Sequence, residues 1–101
     1  MLLYQQVFGS SFDLGIIVPK SFVDQSYKHD VCPCFVRQLS KNQCMVLWID
    51  YAEPEDRESL DSKRYTLNLH VNDVYARALF ESDDLLEMTV VLESWSKALI
   101  V

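Results

Sequence analysis

The sequence predicts an α+β fold, in which an antiparallel sheet of four to six strands, built from two hairpins, carries a C-terminal helix packed on one face. Three observations predict it. Alternating apolar segments flank the dipeptide Asn72-Asp73, strand-like segments flank a polar turn at residues 40–43, and apolar residues recur every three or four positions after residue 84. A chain of 101 residues suits one core, so residues 1–101 are predicted to be a single domain.

The N-terminal segment predicts two short strands and a helix. Leu2–Phe8 and Phe12–Val18 are rich in large apolar residues and are separated by a Gly-Ser-Ser sequence, which is typical of strands joined by a turn. Pro19 stands where a helix could begin. Lys20–Tyr27 places its apolar residues on one helical face, so a short helix is expected there, with a loop as the alternative.

The first hairpin is predicted from Cys34–Leu39 and Gln43–Tyr51, which are rich in residues that favour strands. The second of these strands is apolar on both faces, as expected of a central strand that is covered on both sides. One face carries Met45, Leu47 and Ile49, and the other carries Val46 and Trp48. The alternative is that one face of this strand meets another protein.

The second hairpin follows a predicted solvated loop at residues 52–62, which contains five acids and a single Arg. A two-residue turn at Asn72-Asp73 predicts the pairing of the strands on either side. The apolar face pairs Val71 with Val74, Leu69 with Ala76, Leu67 with Ala78 and Tyr65 with Phe80. The polar face pairs His70 with Tyr75, Asn68 with Arg77, Thr66 with Leu79 and Arg64 with Glu81.

The C-terminal helix is predicted to begin at Ser82-Asp83-Asp84, where an acidic cap and Glu87 face the positive end of the helix dipole. An apolar stripe then predicts the face that packs on the hairpin. Its members are Leu85, Met88, Leu92, Trp95 and Leu99. The rival interpretation is a strand over Glu87–Glu93, which contains three consecutive β-branched residues.

Composition argues against several kinds of function. The formal charge of −6 arises in the second half of the chain and disfavours nucleic-acid binding. The chain has two glycines, too few for a glycine-rich phosphate-binding loop, so no nucleotide cofactor is expected. No other cofactor is expected either. The sequence shows no signal peptide and no membrane-spanning segment, so a cytoplasmic location is expected and membrane binding is not. Three cysteines do not form a disulfide framework, so their thiols are expected to be reduced.

A metal site at His29–Cys34 is not expected. The segment combines His, Asp and two Cys, but the CxxC spacing of zinc sites is missing and Cys44 is predicted to lie far along the hairpin from Cys34. The three cysteines are predicted to be small buried hydrophobic residues. No catalytic residue is assigned.

The polar hairpin face is the predicted candidate for ligand or partner binding. His70, Arg77, Tyr75, Asn68 and Thr66 would present a cation, an imidazole, a phenol and an amide on adjacent positions, a set that suits a small anionic ligand. The ordinary alternative is a solvent-exposed sheet face. Self-association is also predicted, as a homodimer through Trp48, Tyr51 and Leu47, because aromatic residues are enriched at interfaces.

Two stretches resemble short bacterial proteins of unknown function, some of them carried on mobile gene cassettes. They are His29-Asp30-Val31-Cys32-Pro33, and Trp48-Ile49-Asp50-Tyr51 followed by Pro54-Glu55-Asp56-Arg57-Glu58. The resemblance implies a small cytosolic accessory protein and brings no catalytic residues with it.

Three functions are therefore considered. The first is a non-enzymatic binding or protein-interaction module that forms a homodimer. The second is an acidic inhibitor or immunity-type partner, which covers a basic site on another protein with the loop at residues 53–61 and the start of the C-terminal helix. The third is a small-molecule enzyme that uses the polar hairpin face.

Overall fold

The structure, a computed structural model, describes residues 2–98. In chain order, the elements are α1 (Leu3–Phe8), β1 (Val23–Asp24), β2 (Cys34–Gln38), β3 (Gln43–Ile49), β4 (Tyr65–Val71), β5 (Val74–Ser82) and α2 (Leu85–Ala98), with a 3₁₀ turn at Pro54–Asp56. The strands form one antiparallel sheet in the order β1-β2-β3-β4-β5. The predicted α+β fold, with two hairpins and a C-terminal helix, is confirmed.

One face of the sheet, here called the covered face, forms the hydrophobic core. Its buried residues are Phe35, Met45, Leu47, Ile49, Tyr65 and Leu67 from the sheet, with Met88 and Leu92 from α2. Met45, Leu47 and Ile49 of the central strand β3 have no exposed surface. Burial of one such side chain stabilises the fold by about 1.5–3 kcal/mol. The predicted division of β3 between two faces is therefore confirmed.

The opposite face, here called the open face, is formed by the alternate residues of the same strands. By pairing register they are Val23, Cys34, Val36, Gln38, Cys44, Val46, Trp48, Thr66, Asn68, His70, Tyr75, Ala78 and Glu81. The buried cluster on this face consists of β2 and β3 residues. No helix of residues 2–98 contributes to it, but Cys44 and Val46 are 8% and 5% exposed and Trp48 is half-buried, so β3 is buried on this face too, as predicted.

The second hairpin turns at Asn72-Asp73, as predicted, with both residues at positive φ (53° and 63°) as a type I′ turn requires. The first two pairs are also as predicted, and the rest are wrong because β5 contains two bulges. The observed pairs are Val71 with Val74, His70 with Tyr75, Leu69 with Arg77, Asn68 with Ala78, Leu67 with Phe80, Thr66 with Glu81 and Tyr65 with Ser82. Each bulge adds one residue to β5, and after both bulges the side chains again lie on the predicted faces. Phe80 therefore still packs on the covered face.

The three N-terminal predictions are wrong. Residues 3–8 form a helix, residues 12–18 form no strand, and residues 20–27 contain only the two-residue strand β1 instead of a helix. The alternative prediction for residues 20–27, a loop, is closer to the observed structure. In the first two segments a distant side chain meets the backbone: Asp24 accepts a hydrogen bond from the Tyr4 amide (2.9 Å), and Tyr65 donates to the Leu14 carbonyl (2.7 Å).

Gly15 allows that approach, and Gly15→Ala is expected to lower the free energy of unfolding by about 2–4 kcal/mol. Its φ is 76°, and an added Cβ would collide with the Tyr65 hydroxyl and lie 2.7 Å from Arg64 Nη1. Arg64 and Tyr65 donate to the carbonyls of Asp13 and Leu14, so both hydrogen bonds would be displaced. Urea denaturation measures the loss.

Gly9→Ala is the matched control. Gly9 also has a positive φ (110°), but an added Cβ would meet nothing within 4 Å. The loss of stability in Gly9→Ala therefore measures the cost of placing alanine at a positive φ where its Cβ meets no other atom. Equal losses in the two variants would contradict the steric explanation for Gly15.

Helix α2 begins where the sequence predicts. The Asp84 carboxylate accepts hydrogen bonds from the amides of Leu86 (2.8 Å) and Glu87 (3.1 Å). The rival strand over Glu87–Glu93 is therefore wrong. Of the predicted stripe, Met88 and Leu92 are buried, Trp95 packs against the core, Leu85 is 39% exposed, and Leu99 lies outside the described residues. No helix within residues 2–98 combines the length and hydrophobicity of a bilayer span.

The predicted ion pair between Arg64 and Glu81 does not form. Glu81 lies opposite Thr66, whereas the Arg64 guanidinium is buried and donates to the Asp13 carbonyl at 2.7 Å. It also lies 5.2 Å from the centre of the Tyr65 ring. Arg64 therefore joins the sheet to the N-terminal segment.

Candidate functional site

The register of the second hairpin separates the predicted ligand-binding residues. His70 and Tyr75 are opposite each other on the open face, with ring centroids 6.1 Å apart, and Asn68 and Thr66 share that face. Arg77 is opposite Leu69, and paired residues point to the same side of a sheet. The bulge between His70 and Leu69 thus removes the only cation from the predicted anion-binding set.

The three residues predicted for a dimer interface lie in different surroundings. Leu47 has no exposed surface and belongs to the core, so its assignment to an interface is wrong. Tyr51 is half-buried and packs its ring on Phe12, with centroids 4.8 Å apart. Trp48 is half-buried on the open face, and of the three it alone has the placement that the prediction requires.

The open face is almost free of charge. Apart from Glu81, and from Asp50 just beyond the end of β3, none of its side chains is charged at pH 7 with histidine neutral, although 24% of the chain is charged. Val23 is 59% exposed near one edge and Tyr75 is 56% exposed near the other. An uncharged surface bounded by exposed apolar residues is typical of the centre of a protein interface.

A cleft of about 320 Å³ lies at one end of the open face. Its walls come from three regions: residues 29–32, the end of β3 with Trp48 and Asp50, and residues 58–66. The cleft also contains the carboxylates of Asp30 and Glu58. It therefore combines an indole ring with three acids and two cations, Lys63 and Arg64.

Asp50 is the unusual group of this cleft, because it is a carboxylate with only 8% of its surface exposed. One carboxylate oxygen accepts a hydrogen bond from the Tyr51 amide (2.8 Å), and its own amide donates to the Arg64 carbonyl (2.6 Å). Burial raises the pKa of Asp50 and the Glu58 carboxylate raises it further, against the Tyr51 hydrogen bond and the Arg57 charge. Perturbed carboxylates in clefts mark candidate binding sites.

The sequence contains a signal for Asp50 that the prediction did not use. Asp50 directly follows an apolar strand, and the alternation of β3 places it on the same side as Trp48. Residues 29–32 and 58–66 reach the cleft through loops, so no local pattern brings them to Asp50.

The cysteines are free and buried, as predicted. Burial, followed by nearby carboxylates such as Asp50 and Asp30, raises the pKa of Cys32 and of Cys34 to about 12. Thiols that stay protonated at neutral pH are poor nucleophiles. Within residues 2–98, no group of three or more His, Cys, Asp or Glu side chains is arranged to hold a metal ion.

Arg57 organises residues 52–62, here called the acidic loop. Its guanidinium is 4% exposed and donates to the carbonyls of Tyr51 (2.7 Å), Ser62 (2.7 Å) and Ala52 (3.0 Å) and to the Asp83 carboxylate (2.9 Å). The exposed acids of the loop are Glu53, Glu55, Asp56, Glu58 and Asp61. The predicted solvated loop is thus held in one shape by its single cation.

Comparison with protein-family models, curated proteins and solved structures found no match.

Asp50→Asn is expected to raise stability at neutral pH. The folded protein binds the Asp50 proton more tightly than the unfolded chain, whose carboxyl has the ordinary pKa of 3.8. Stability attributable to Asp50 therefore falls as pH rises from 3.8 through the folded pKa. The variant should exceed the natural protein in unfolding free energy at pH 7, and the difference should shrink below pH 3.8. A difference independent of pH in denaturant titrations would contradict the burial argument.

Proposed function

We propose that this protein is a non-enzymatic binding module of the cytosol, which forms a homodimer through its open face. The observation that supports the proposal most is the uncharged surface from Val23 to Tyr75, which no helix of residues 2–98 packs against. The enzyme alternative loses support, because the register separates Arg77 from His70 and the thiols have raised pKa values.

A second copy of the chain suits the open face on grounds of charge. Two copies with a net charge of −6 repel each other, and an interface between them is least unfavourable where neither presents charge. None of the five acids of the acidic loop belongs to a strand of the open face, although Glu58 reaches the cleft at one end of it. A strongly basic partner would gain little from a neutral sheet surface.

The size of the open face is also adequate for a weak dimer. Strands about 4.8 Å apart and about six residues long at 3.4 Å per residue give a five-stranded face of roughly 20 by 20 Å in projection. Side chains add area to that projection, which brings it toward the about 800 Å² per partner of a standard interface. We expect dissociation in the micromolar range, where small interfaces are found.

The test uses exposed positions, where a new charge does little to the monomer. Val23→Glu and Tyr75→Glu are expected to convert the protein from a dimer to a monomer of 11.8 kDa, measured by light scattering after gel filtration. Ile17→Glu is the matched control, since Ile17 is 92% exposed and lies outside the sheet. A natural protein that is monomeric at high micromolar concentration would overturn the proposal.

A second function is supported by the shape of the acidic loop. Arg57 holds the loop through four hydrogen bonds, so its five exposed acids are presented without the cost of ordering them. Such a surface suits an inhibitor or immunity-type protein that covers a basic site. Binding to the basic protein lysozyme, used as a probe, should weaken steeply with salt and with Glu55→Gln and Asp56→Asn together. Binding that is unaffected by salt would contradict this role.

A further inference from the structure

We propose that the outer side of helix α2 is a docking surface for a basic amphipathic helix of a partner protein. This surface lies on the other side of the sheet from the open face, because α2 packs on the covered face. The proposal therefore rests neither on the homodimer nor on the acidic loop, and each can fail without the others.

The first argument is a ridge of exposed apolar residues on α2. Leu86 and Val90 are 78% and 61% exposed, although the same helix buries Met88 and Leu92 in the core. The two exposed residues are four positions apart, so they are neighbours on the helix surface. A helix that packs on one sheet needs a single apolar stripe. The packing of α2 within the fold thus leaves this outer ridge unexplained.

A groove lies on each side of the ridge. The first, of about 750 Å³, separates α2 from residues 15–19, where Ile17 is 92% exposed. The second, of about 440 Å³, separates α2 from Phe80 of β5. Leu86 lines both grooves, and Val90 lines the second. A ridge between two grooves is the shape into which the side-chain rows of another helix fit.

The grooves require few polar contacts from an occupant. Apart from one threonine and two glutamates, the residues that line them are apolar or glycine. The threonine is Thr89, and its hydroxyl already donates to the Leu85 carbonyl at 2.8 Å. An occupant therefore needs mainly apolar side chains, which one face of an amphipathic helix supplies.

The charge of the grooves selects a basic helix. Glu93 lines the first groove and Glu87 lines the second. Both residues are exposed, and the Glu87 carboxylate accepts a hydrogen bond from the Ser82 hydroxyl at 2.6 Å. Lysine or arginine beside the apolar face of a partner helix would thus meet an acid in either groove.

The nearest cations leave this acidic character unchanged. None of the described residues that line the two grooves is a cation. Lys20 directly follows the lining residue Pro19 and is exposed. Arg64 approaches Gly15, but its guanidinium is buried and donates to the Asp13 carbonyl.

Two other occupants are disfavoured by the same acids. A second copy of the chain, also with a net charge of −6, would bring Glu87 and Glu93 of both copies together. The anionic lipids of a membrane surface would repel these carboxylates. A basic helix covers the same apolar ridge and neutralises them.

The test is fluorescence anisotropy with a labelled probe peptide, about three repeats of Leu-Lys-Lys-Leu-Leu-Lys-Lys, whose leucines form one helical face. A second peptide has the same composition, but its leucines are spread around the helix. We expect the natural protein to bind the first peptide at least about tenfold more tightly. Equal affinities would mean that charge alone attracts the peptide and would overturn the proposal. So would the absence of binding at about 1 mM peptide.

Leu86→Gln combined with Val90→Gln removes the ridge without adding charge. Both side chains are exposed, so the variant should fold, which thermal unfolding checks. We expect at least an about tenfold loss of affinity for the amphipathic peptide. Leu60→Gln combined with Val31→Gln is the matched control, because both of these side chains are exposed and outside the grooves. Equal losses in the two variants would contradict the proposal.

Glu87→Gln combined with Glu93→Gln tests the contribution of charge. Glutamine keeps an oxygen that can accept from the Ser82 hydroxyl. We expect an about fivefold loss of affinity and a weaker dependence of binding on salt. The control for an equal charge change is Glu55→Gln with Asp56→Asn, which should weaken binding by less than about twofold. A larger loss in this control would place the basic helix on the acidic loop and overturn the proposal.

The alternative occupants are tested with the variant that lacks the ridge. If it were monomeric while Val23→Glu stayed dimeric, the ridge would be an interface between copies. If it lost binding to vesicles of phosphatidylcholine and phosphatidylserine that the natural protein binds, the ridge would be a membrane contact. Either result would overturn the proposal. A monomeric Val23→Glu protein that keeps its affinity for the peptide would support the proposal independently of the dimer.

Discussion

Arg57→Ala is expected to lower the free energy of unfolding by about 2–4 kcal/mol, because one substitution removes the donor from three backbone carbonyls and one carboxylate. The carbonyls of Tyr51, Ala52 and Ser62 would lose their donor, and Asp83 would lose its closest cation. Guanidinium denaturation followed by circular dichroism gives the loss. The variant should also release the acidic loop, seen as faster amide exchange across residues 52–62.

Arg57→Lys is the control for charge. It keeps one positive group but not the planar fork that reaches four acceptors, so an intermediate loss is expected. A second readout is Asp83, whose pKa is lowered by the Arg64 amide and by Arg57. That pKa should rise toward 3.8 in Arg57→Ala, measured by NMR titration. A loss below about 1 kcal/mol would mean that the loop is held by other contacts.

Leu47→Ala is expected to cost about 3–5 kcal/mol, as for other fully buried leucines. Leu47 lies in the middle of β3, has no exposed surface, and packs in the core with Leu67 and Met88. Removal of three carbons leaves a cavity that the flanking strands β2 and β4 cannot close. Thermal and urea denaturation measure the change.

Leu60→Ala provides the comparison, since Leu60 is 73% exposed and should change stability by less than about 0.5 kcal/mol. The concentration dependence adds a further check. A core residue acts within the monomer, so the loss in Leu47→Ala should persist in the Val23→Glu background. If Leu47→Ala lowered stability only in the dimeric protein, Leu47 would have to be assigned to the dimer interface instead of the core.

The parts of the fold that the sequence predicts are those whose periodic pattern spans a whole element. Strand β3 is apolar without interruption from Cys44 to Ile49, and α2 combines an acidic cap with apolar residues at helical spacing. The type I′ turn is readable because Asn72 and Asp73 are among the few residues that accept positive φ. These patterns report local geometry, so they survive without knowledge of the neighbours.

The N-terminal segment and the hairpin register depend on contacts that are distant in sequence. Leu2–Phe8 has a composition suited to a strand, yet it forms a helix that packs Tyr4 against Phe12 and Phe35. The two bulges in β5 cannot be recognised from the alternation of its sequence. Each bulge inserts one residue, and two inserted residues return the later side chains to the face on which they would lie without bulges. Bulges bend a strand, and the bend that the core requires cannot be read from β5 alone.

The candidate site divides in the same way. The two-residue period of strand β3 determines by itself that Trp48 and Asp50 share a face opposite Leu47. Only the tertiary structure decides that no helix residue joins the buried cluster of this face, that Arg77 is turned away from His70, and that residues 29–32 and the loop before β4 line the cleft with Asp50. Which residues share a face is a property of one strand. Which side chains cover a face, and which charged groups share a cleft, depends on how all the strands and loops pack together.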